Sequence, residues 1–254
     1  MEIKNKIVLI SGASSGIGAA CAEVFAEAGA KLILLARRKD NLTLLTGKLL
    51  KEYGTKCYPI VCDIRDYDLL SLKLGHLDEW KNIDILINNA GLSRGLEKIQ
   101  DGKLENWEEM IDTNIKGLLY LSKLVIPGMV ERKSGHIFNI GSLAGREVYP
   151  GGNVYCGTKH AVKALSKAMV IELNTTGIRV TNIDPGLVET EFSEVRFRGD
   201  KERAKKTYEG FVPLIGRDIA EIILFAASRP QHVMIQDLLV TPTAQANTTI
   251  LDKH

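Results

Sequence analysis

The sequence predicts an α/β fold in one domain, residues 1–254: a doubly wound parallel sheet with helices on both faces. Two observations carry this. Seven short apolar runs alternate with longer segments of helical period, and the runs are continuously apolar, as strands covered on both faces must be. A third is negative: no repeat, low-complexity tract or Pro/Ser-rich linker divides the chain. Right-handed crossovers between parallel strands then send helices to both sides of the sheet.

In chain order, the strand-like runs are 7–10 (Ile-Val-Leu-Ile), 32–35 (Leu-Ile-Leu-Leu), 58–61, 85–87 (Ile-Leu-Ile), 136–140, 179–183 and 238–240. Helical periodicity occupies 17–28, 40–53, 69–80, 106–130, 154–174 and 217–227. In such an architecture ligands bind beyond the carboxyl ends of the strands, so chemistry is sought in the few residues after each run.

Composition narrows the function classes. A formal net charge of +2 gives no broad polyanion-binding face, and no basic stripe or aromatic platform argues for nucleic acid. Cys21, Cys57, Cys62 and Cys156 form no CxxC pair and have no histidine cluster beside them, which fits reduced thiols rather than a metal site or a disulfide framework. Cys156 is expected to be a buried bystander. The opening MEIKNKIVLISGASSG runs into the first strand with no cleavage-site pattern, and no apolar stretch reaches the length of a membrane span. A soluble cytoplasmic protein is the expectation.

The first strand is followed by Ser11-Gly12-Ala13-Ser14-Ser15-Gly16-Ile17-Gly18, which leads directly into a helix. Glycines permit torsions and close approaches that a Cβ forbids, and the helix start offers free N–H groups to a pyrophosphate. The spacing is GxxxGxG rather than GxGxxG, and by itself it also fits a plain tight turn. The second strand ends in Ala36-Arg37-Arg38, with no acid before Asp40. An acid there would bond a ribose 2′-hydroxyl; two guanidiniums instead suit a 2′-phosphate, so NADP is the expected cofactor. Asp63-Ile64 follows the third strand and Asn88-Asn89-Ala90-Gly91 the fourth, placed either to meet the adenine end or to tie neighbouring loops.

Ser142 follows the fifth strand, Tyr155 comes thirteen residues later, and Lys159 lies one helical turn beyond it on the same face. Asn114 sits inside Asp112-Thr113-Asn114 on the preceding long helix. In this order, behind the glycine turn, the set resembles the short-chain dehydrogenase/reductase family over nearly the whole chain. The family usually has threonine where this chain has Ser11, so the hydroxyl is kept. The resemblance implies a Rossmann-type fold and hydride transfer between a nicotinamide and a carbonyl or alcohol carbon. It also implies that Lys159 bonds the nicotinamide ribose, that Asn114 helps to hold a proton-returning water chain, and that Pro185-Gly186-Leu187-Val188-Glu189-Thr190 meets the nicotinamide amide through Val188 and Thr190. Homotetramers built on the two long helices are expected on the same ground.

Chemistry explains the residue types. Reducing a carbonyl needs a proton delivered to oxygen, and a phenol with a pKa near 10 is a poor donor and acceptor at neutral pH. A cation about 4 Å away at an effective dielectric of about 20 contributes roughly 4 kcal/mol. At about 1.4 kcal/mol per unit, that lowers the phenol by about three units, with Lys159 the expected cation. Ser142 is expected to hold the substrate oxygen at hydride distance.

From 191 to about 213 the chain is charged and weakly periodic, without a clear strand; with the preceding turn this makes 188–213 a candidate substrate lid. Arg196 is its candidate partner for a substrate carboxylate. The runs IDILINNAGL, MIDTNIKGL, GGNVYCGTKHAV, PGLVETEFSEVRFRGD and KTYEG resemble the NADP-dependent 3-hydroxy acid dehydrogenases that oxidise serine and allo-threonine. That implies oxidation of a 3-hydroxy acid to a 3-oxo acid. Reduction of a 3-oxoacyl thioester or ketone, and a non-catalytic NADP-sensing role, remain the alternatives at this point.

Overall fold

The computed structural model describes residues 2–253. Seven parallel strands form one sheet: β1 (Ile7–Ser11), β2 (Lys31–Ala36), β3 (Cys57–Val61), β4 (Ile85–Asn88), β5 (Gly135–Ile140), β6 (Ile178–Pro185) and β9 (Asp237–Val240). Their order is β3-β2-β1-β4-β5-β6-β9, so the winding direction reverses between β1 and β4. That reversal opens a crevice above the carboxyl ends of the central strands. All seven predicted strands are present within a residue or two of their expected bounds.

The two-residue period of the strands sorts the core into two layers. Val8, Ile10, Leu32, Leu34, Ile85 and Ile87 face the helices α1 (Gly16–Glu27), α2 (Lys39–Tyr53) and α9 (Gly216–Ala227). Ile7, Leu9, Ile33, Leu35 and Leu86 face α3 (Tyr67–Gly75), α5 (Leu118–Arg132) and α6 (Asn153–Glu172). Each face is thus sealed by helices, which is why the strands read as unbroken apolar runs. Fully buried side chains such as Phe25 and Phe138 contribute about 1.5–3 kcal/mol each by leaving water.

Two segments differ from the sequence reading. The helix expected over 69–80 ends at Gly75 and is followed by a separate 3-10 turn, Asp78–Trp80; Asp78 takes φ 42°, a left-handed setting that no α-helix continues through. The helix expected over 106–130 is α4 (Leu104–Ile111) joined to α5 by a π-helical turn, Asp112–Gly117, and Asn114 lies in that turn. Such one-residue insertions re-aim side chains and recur at functional sites. The segment 191–213, read as lacking a clear strand, has none, and it is pinned at both ends: β7 (Val188–Glu189) pairs in parallel with β8 (Leu214–Ile215). Between them lie two short helices, α7 (Phe192–Arg196) and α8 (Lys201–Lys206).

Candidate active site

The first turn of α1 packs directly on the loop after β4. Gly12 has φ +66°, and a Cβ on it would come within 2.9 Å of the Ala90 Cα. A Cβ on Gly18 would meet the Gly12 carbonyl oxygen at 2.3 Å and Asn89 Nδ2 at 2.6 Å. The two loops are also laced together by polar bonds. Ser11 Oγ accepts the Asn89 and Ala90 amides, each at 3.0 Å, and Asn89 Nδ2 donates to the Ser11 and Gly12 carbonyls at 3.0 and 3.3 Å. No side chain caps the start of α1 at Ser15, so its first amides are left to a ligand.

Both arginines stand at the mouth of this turn and both are paired. Arg38 reaches Ser14 Oγ at 3.2 Å and Ser15 Oγ at 2.5 Å, and forms an ion pair with Glu191 at 2.6 Å. Arg37 lies 3.6 Å from Asp63, which Arg65 holds at 2.7 Å. Burial works to raise the Asp63 pKa, but the hydrogen bonds and charge of Arg65, with Arg37 behind, keep the carboxyl below its usual range. A glycine cradle, uncapped helix amides and a guanidinium beside them suit a dinucleotide with an extra phosphate.

From here a cleft of about 770 Å³ runs to the lid. It is lined by Gly12, Ser14, Ser15, Gly16 and Ile17, by Arg37, Arg38, Asp63 and Ile64, and by Asn89, Ala90 and Gly91. Ser142, Tyr155, Lys159, Pro185, Gly186, Val188, Thr190 and Arg196 line its other half. Ser11, Gly18 and Asn114 sit beneath the lining and shape it. Asn114 is buried: it bonds the Leu92 amide at 2.8 Å and carbonyl at 2.9 Å, and Thr158 Oγ1 at 3.0 Å, splicing the π-helical turn to the loop after β4 and to α6.

Lys159 is buried and donates from Nζ to the Ile140 carbonyl at the end of β5, at 2.8 Å. Burial lowers its pKa to about 8, against a raising pull from Asp184. Its Nζ is 6.0 Å from the centroid of the Tyr155 ring. Tyr155 packs against Phe192 at 5.6 Å between ring centroids, with the Arg196 guanidinium 5.3 Å from its ring. The phenol is pushed up, first by burial and then by Tyr149, against the lowering effects of a hydrogen bond with Ser142 and the charge of Arg196. The expected three-unit fall driven by Lys159 is therefore corrected: in the cofactor-free site desolvation outweighs the nearby cations. Ser142 Oγ also accepts the Ala144 amide at 3.1 Å, capping a short 3-10 turn, Leu143–Gly145.

The lid delivers Arg196 to this cluster. Arg196 donates to Ser93 Oγ at 2.9 Å and Tyr149 Oη at 2.5 Å. Its carbonyl accepts the Gly95 amide at 3.2 Å, and Arg94 bonds the Val195 carbonyl while pairing with Glu109 at 2.7 Å. Tyr208 fastens the lid's base through Ser193 at 2.9 Å and the Val188 carbonyl at 3.0 Å. Sequence reasoning missed Ser93, Tyr149, Tyr208 and Gln245, whose Oε1 accepts the Leu187 amide at 2.8 Å. Each is a single polar residue with no local pattern. It also passed over Asp184, although an acid ending an apolar strand was a readable signal.

Among the described residues no cluster of His, Cys, Asp and Glu could hold a metal, and no helix is long and apolar enough to cross a membrane. Residues 6–201 match the short chain dehydrogenase family. The NADP-dependent 3-hydroxy acid dehydrogenase YdfG of Escherichia coli K12 is 45% identical over 94% of this chain and 96% of its own. The NADP-dependent 3-hydroxy acid dehydrogenase of Schizosaccharomyces pombe is 43% identical over 96% and 95%. A solved closed form of serine dehydrogenase complexed with NADP+ superposes with a TM-score of 0.91 at 44% identity, covering 98% of this chain and 99% of that one. Sheet order, glycine turn and sequence agree, and the chain belongs to the short chain dehydrogenase family.

Proposed function

We propose that the protein oxidises short 3-hydroxy acids, serine and allo-threonine among them, to 3-oxo acids with NADP+, reversibly. The observation that carries the substrate class is Arg196, a lid guanidinium held by Ser93 and Tyr149 against the Tyr155 ring, where the carboxylate of a short hydroxy acid can meet it. The names of the two enzymes and the superposed structure support the same reading.

NADP+, when bound along the glycine turn with its 2′-phosphate at Arg38 and Arg37, supplies the hydride acceptor. Ser11, Gly12, Ser14, Ser15, Gly16, Ile17 and Gly18 form its cradle; Asp63 and Ile64 flank the adenine end; Asn89, Ala90, Gly91, Pro185, Gly186, Val188 and Thr190 line the remainder. The rest is done by the chain's own side chains. Ser142 holds the substrate hydroxyl, and Tyr155 accepts its proton as general base, then returns one in the reverse direction. Lys159 keeps a positive charge beneath the phenol, and Asn114 fixes the loop that shapes the floor. The segment 188–213 acts as a lid that excludes water, within one catalytic domain spanning 1–254.

We also take the protein to be a cytoplasmic homotetramer. Leu104 and Ile111 on α4, Leu119 on α5 and Ile171 on α6 are exposed apolar side chains that such packing covers. Light scattering that returns a monomer at micromolar concentration overturns this part.

The deciding assay follows absorbance of the reduced nicotinamide with NADP+ or NAD+ against serine, allo-threonine and 3-hydroxypropionate, beside Tyr155→Phe. Turnover with NADP+ that Tyr155→Phe reduces at least ~1,000-fold is the expected result. NADPH binding with no turnover of any hydroxy acid overturns the substrate class and points to a thioester or ketone.

A further inference from the structure

Beneath the Ser142 loop lies a group of charges that the hydride-transfer reading leaves unused. Asp184, the penultimate residue of β6, has a fully buried side chain. Its Oδ1 accepts the backbone amide of Ser142 at 3.1 Å. Its Oδ2 accepts from Arg146 Nε at 2.6 Å and Lys163 Nζ at 3.4 Å. Both cations continue to Asp237 on β9: Arg146 through its other arm, and Lys163 at 3.2 Å. Asp237 is fixed in turn by Asn182 Nδ2 at 3.0 Å. The result is two carboxylates alternating with two cations, tying the end of β6 and the start of β9 to the Ser142 loop and to α6.

The fit around Asp184 is close. A Cβ on Gly141 would come within 2.0 Å of the Asp184 carboxylate, so the chain passes directly over the charge one residue before Ser142. Lys163 is one turn from Lys159 on α6, and Ile140, whose carbonyl holds Lys159, is one residue before Gly141. Asp184 therefore touches the loop that carries both the serine and the anchor of the lysine.

We propose that Asp184 is a positioning residue for this site: it fixes the Ser142 backbone and acts as the buried counter-charge that keeps the Lys159 amine protonated near neutral pH. This rests on the reading of Ser142 and Lys159 as members of the catalytic set. A fully buried carboxylate has a high desolvation cost unless cations and hydrogen bonds offset it. Arg146 and Lys163 provide that offset, while the field of the carboxylate also reaches Lys159, which hangs from the Ile140 carbonyl one residue before Gly141. The direction agrees with the raising pull of Asp184 on a lysine that burial otherwise depresses. The charged and titratable groups around Lys159 are then Tyr155 on its own helix, Asp184 from β6, Lys163 one turn on, and Arg146 on the 3-10 turn; Arg196 stands over the far side of the Tyr155 ring.

Asp184→Asn keeps an oxygen for the Ser142 amide and removes the charge, so it separates the two roles. The measurement is a pH titration of Lys159 in the full-length protein without cofactor, by NMR of 13C-labelled lysine, with the Lys159 signal assigned by its loss in Lys159→Arg. Asp184→Asn is expected to move the midpoint down by about half a unit or more. Asp237→Asn, one step farther along the network, is expected to move it less. In parallel, the alkaline limb of kcat/KM for hydroxy-acid oxidation, where the charged amine is lost, should follow the NMR midpoint, and Asp184→Glu should restore part of the shift.

A Lys159 midpoint unmoved in a folded Asp184→Asn protein, whatever its melting temperature, overturns the proposal, because a purely structural role lowers Tm without touching that titration. If the wild-type protein oxidises no hydroxy acid, the substrate reading fails while the NMR titration still decides this one. Should Asp184→Asn fail to fold, Asp237→Asn and Lys163→Met carry the test. Lys163→Met removes a competing cation and is expected to raise the Lys159 midpoint; a fall or no change there also overturns the proposal.

Discussion

Arg196 is the residue on which the substrate assignment turns, and truncating it gives a quantitative test. In Arg196→Ala the lid loses its bonds to Ser93 Oγ and Tyr149 Oη as well as the cation 5.3 Å from the Tyr155 ring. The fork made by those two bonds uses Nε and one terminal nitrogen, so the other terminal nitrogen is engaged by neither and can meet a carboxylate. Leaving a desolvated carboxylate without its cation costs about 2–4 kcal/mol, or roughly 30- to 1,000-fold in kcat/KM. The same loss does not apply to a substrate whose carboxylate is esterified. The assay therefore compares serine with serine methyl ester under NADP+ saturation, in wild type and Arg196→Ala. The expected outcome is a fall of at least ~30-fold for the acid and less than ~5-fold for the ester, most of it in KM if the carboxylate is bound equally in ground and transition states. Equal losses for acid and ester refute the reasoning, since they show a residue that only holds the lid down against the 93–95 loop.

Four further outcomes follow from other parts of the cleft. Gly18→Ala puts a methyl 2.3 Å from the Gly12 carbonyl oxygen and forces the two cofactor loops apart; NADPH affinity, read by fluorescence titration, is expected to fall ~100-fold or more. Arg38→Ala removes a charge-assisted bond and is expected to weaken NADP+ by about 10- to 100-fold with little change for NAD+. Glu191→Gln frees the same guanidinium from its 2.6 Å ion pair and is expected to tighten NADP+ by a few-fold, an effect that salt erases. Lys159→Met is expected to abolish turnover and yet stabilise the cofactor-free protein at neutral pH. Because folding lowers the Lys159 pKa from 10.5 to about 8, the charged amine costs the native state about 3 kcal/mol below pH 8. The unfolded chain holds the proton between those values, so wild-type stability should rise as pH goes from 8 to 10.5; denaturant midpoints across that range should show the rise in wild type and not in Lys159→Met.

How far the sequence reached depends on what kind of force was being read. The sheet was legible because burial on both faces writes itself into unbroken runs such as Ile-Val-Leu-Ile at 7–10, and the glycine turn because Gly12 and Gly18 answer contacts that admit no Cβ. Helix ends were less legible. The stop after Gly75 and the π-helical turn at 112–117 are decided by one backbone setting and by one extra residue, and neither disturbs the apolar period enough to show. The β7–β8 clasp is two residues long, too short to carry a period at all.

The site divides in the same way. Ser142, Tyr155 and Lys159 are brought together on one cleft as their spacing implied, but the direction of the Tyr155 shift was misjudged because burial was left out. A pairwise sum of Coulomb attraction between Lys159 and a phenolate omits the cost of taking both groups out of water, and in a site this buried that cost is the larger quantity. The spacing of residues along a helix says who is adjacent; it does not say how dry the neighbourhood is. Dryness here is set by Tyr149, six residues upstream, and by Phe192 and the lid, which arrive from elsewhere in the chain and left no signal beside Tyr155. Burial thus favours the neutral phenol and brings the Lys159 midpoint down only to about 8, so in the cofactor-free protein the amine stays mostly charged at neutral pH while the phenol keeps its proton.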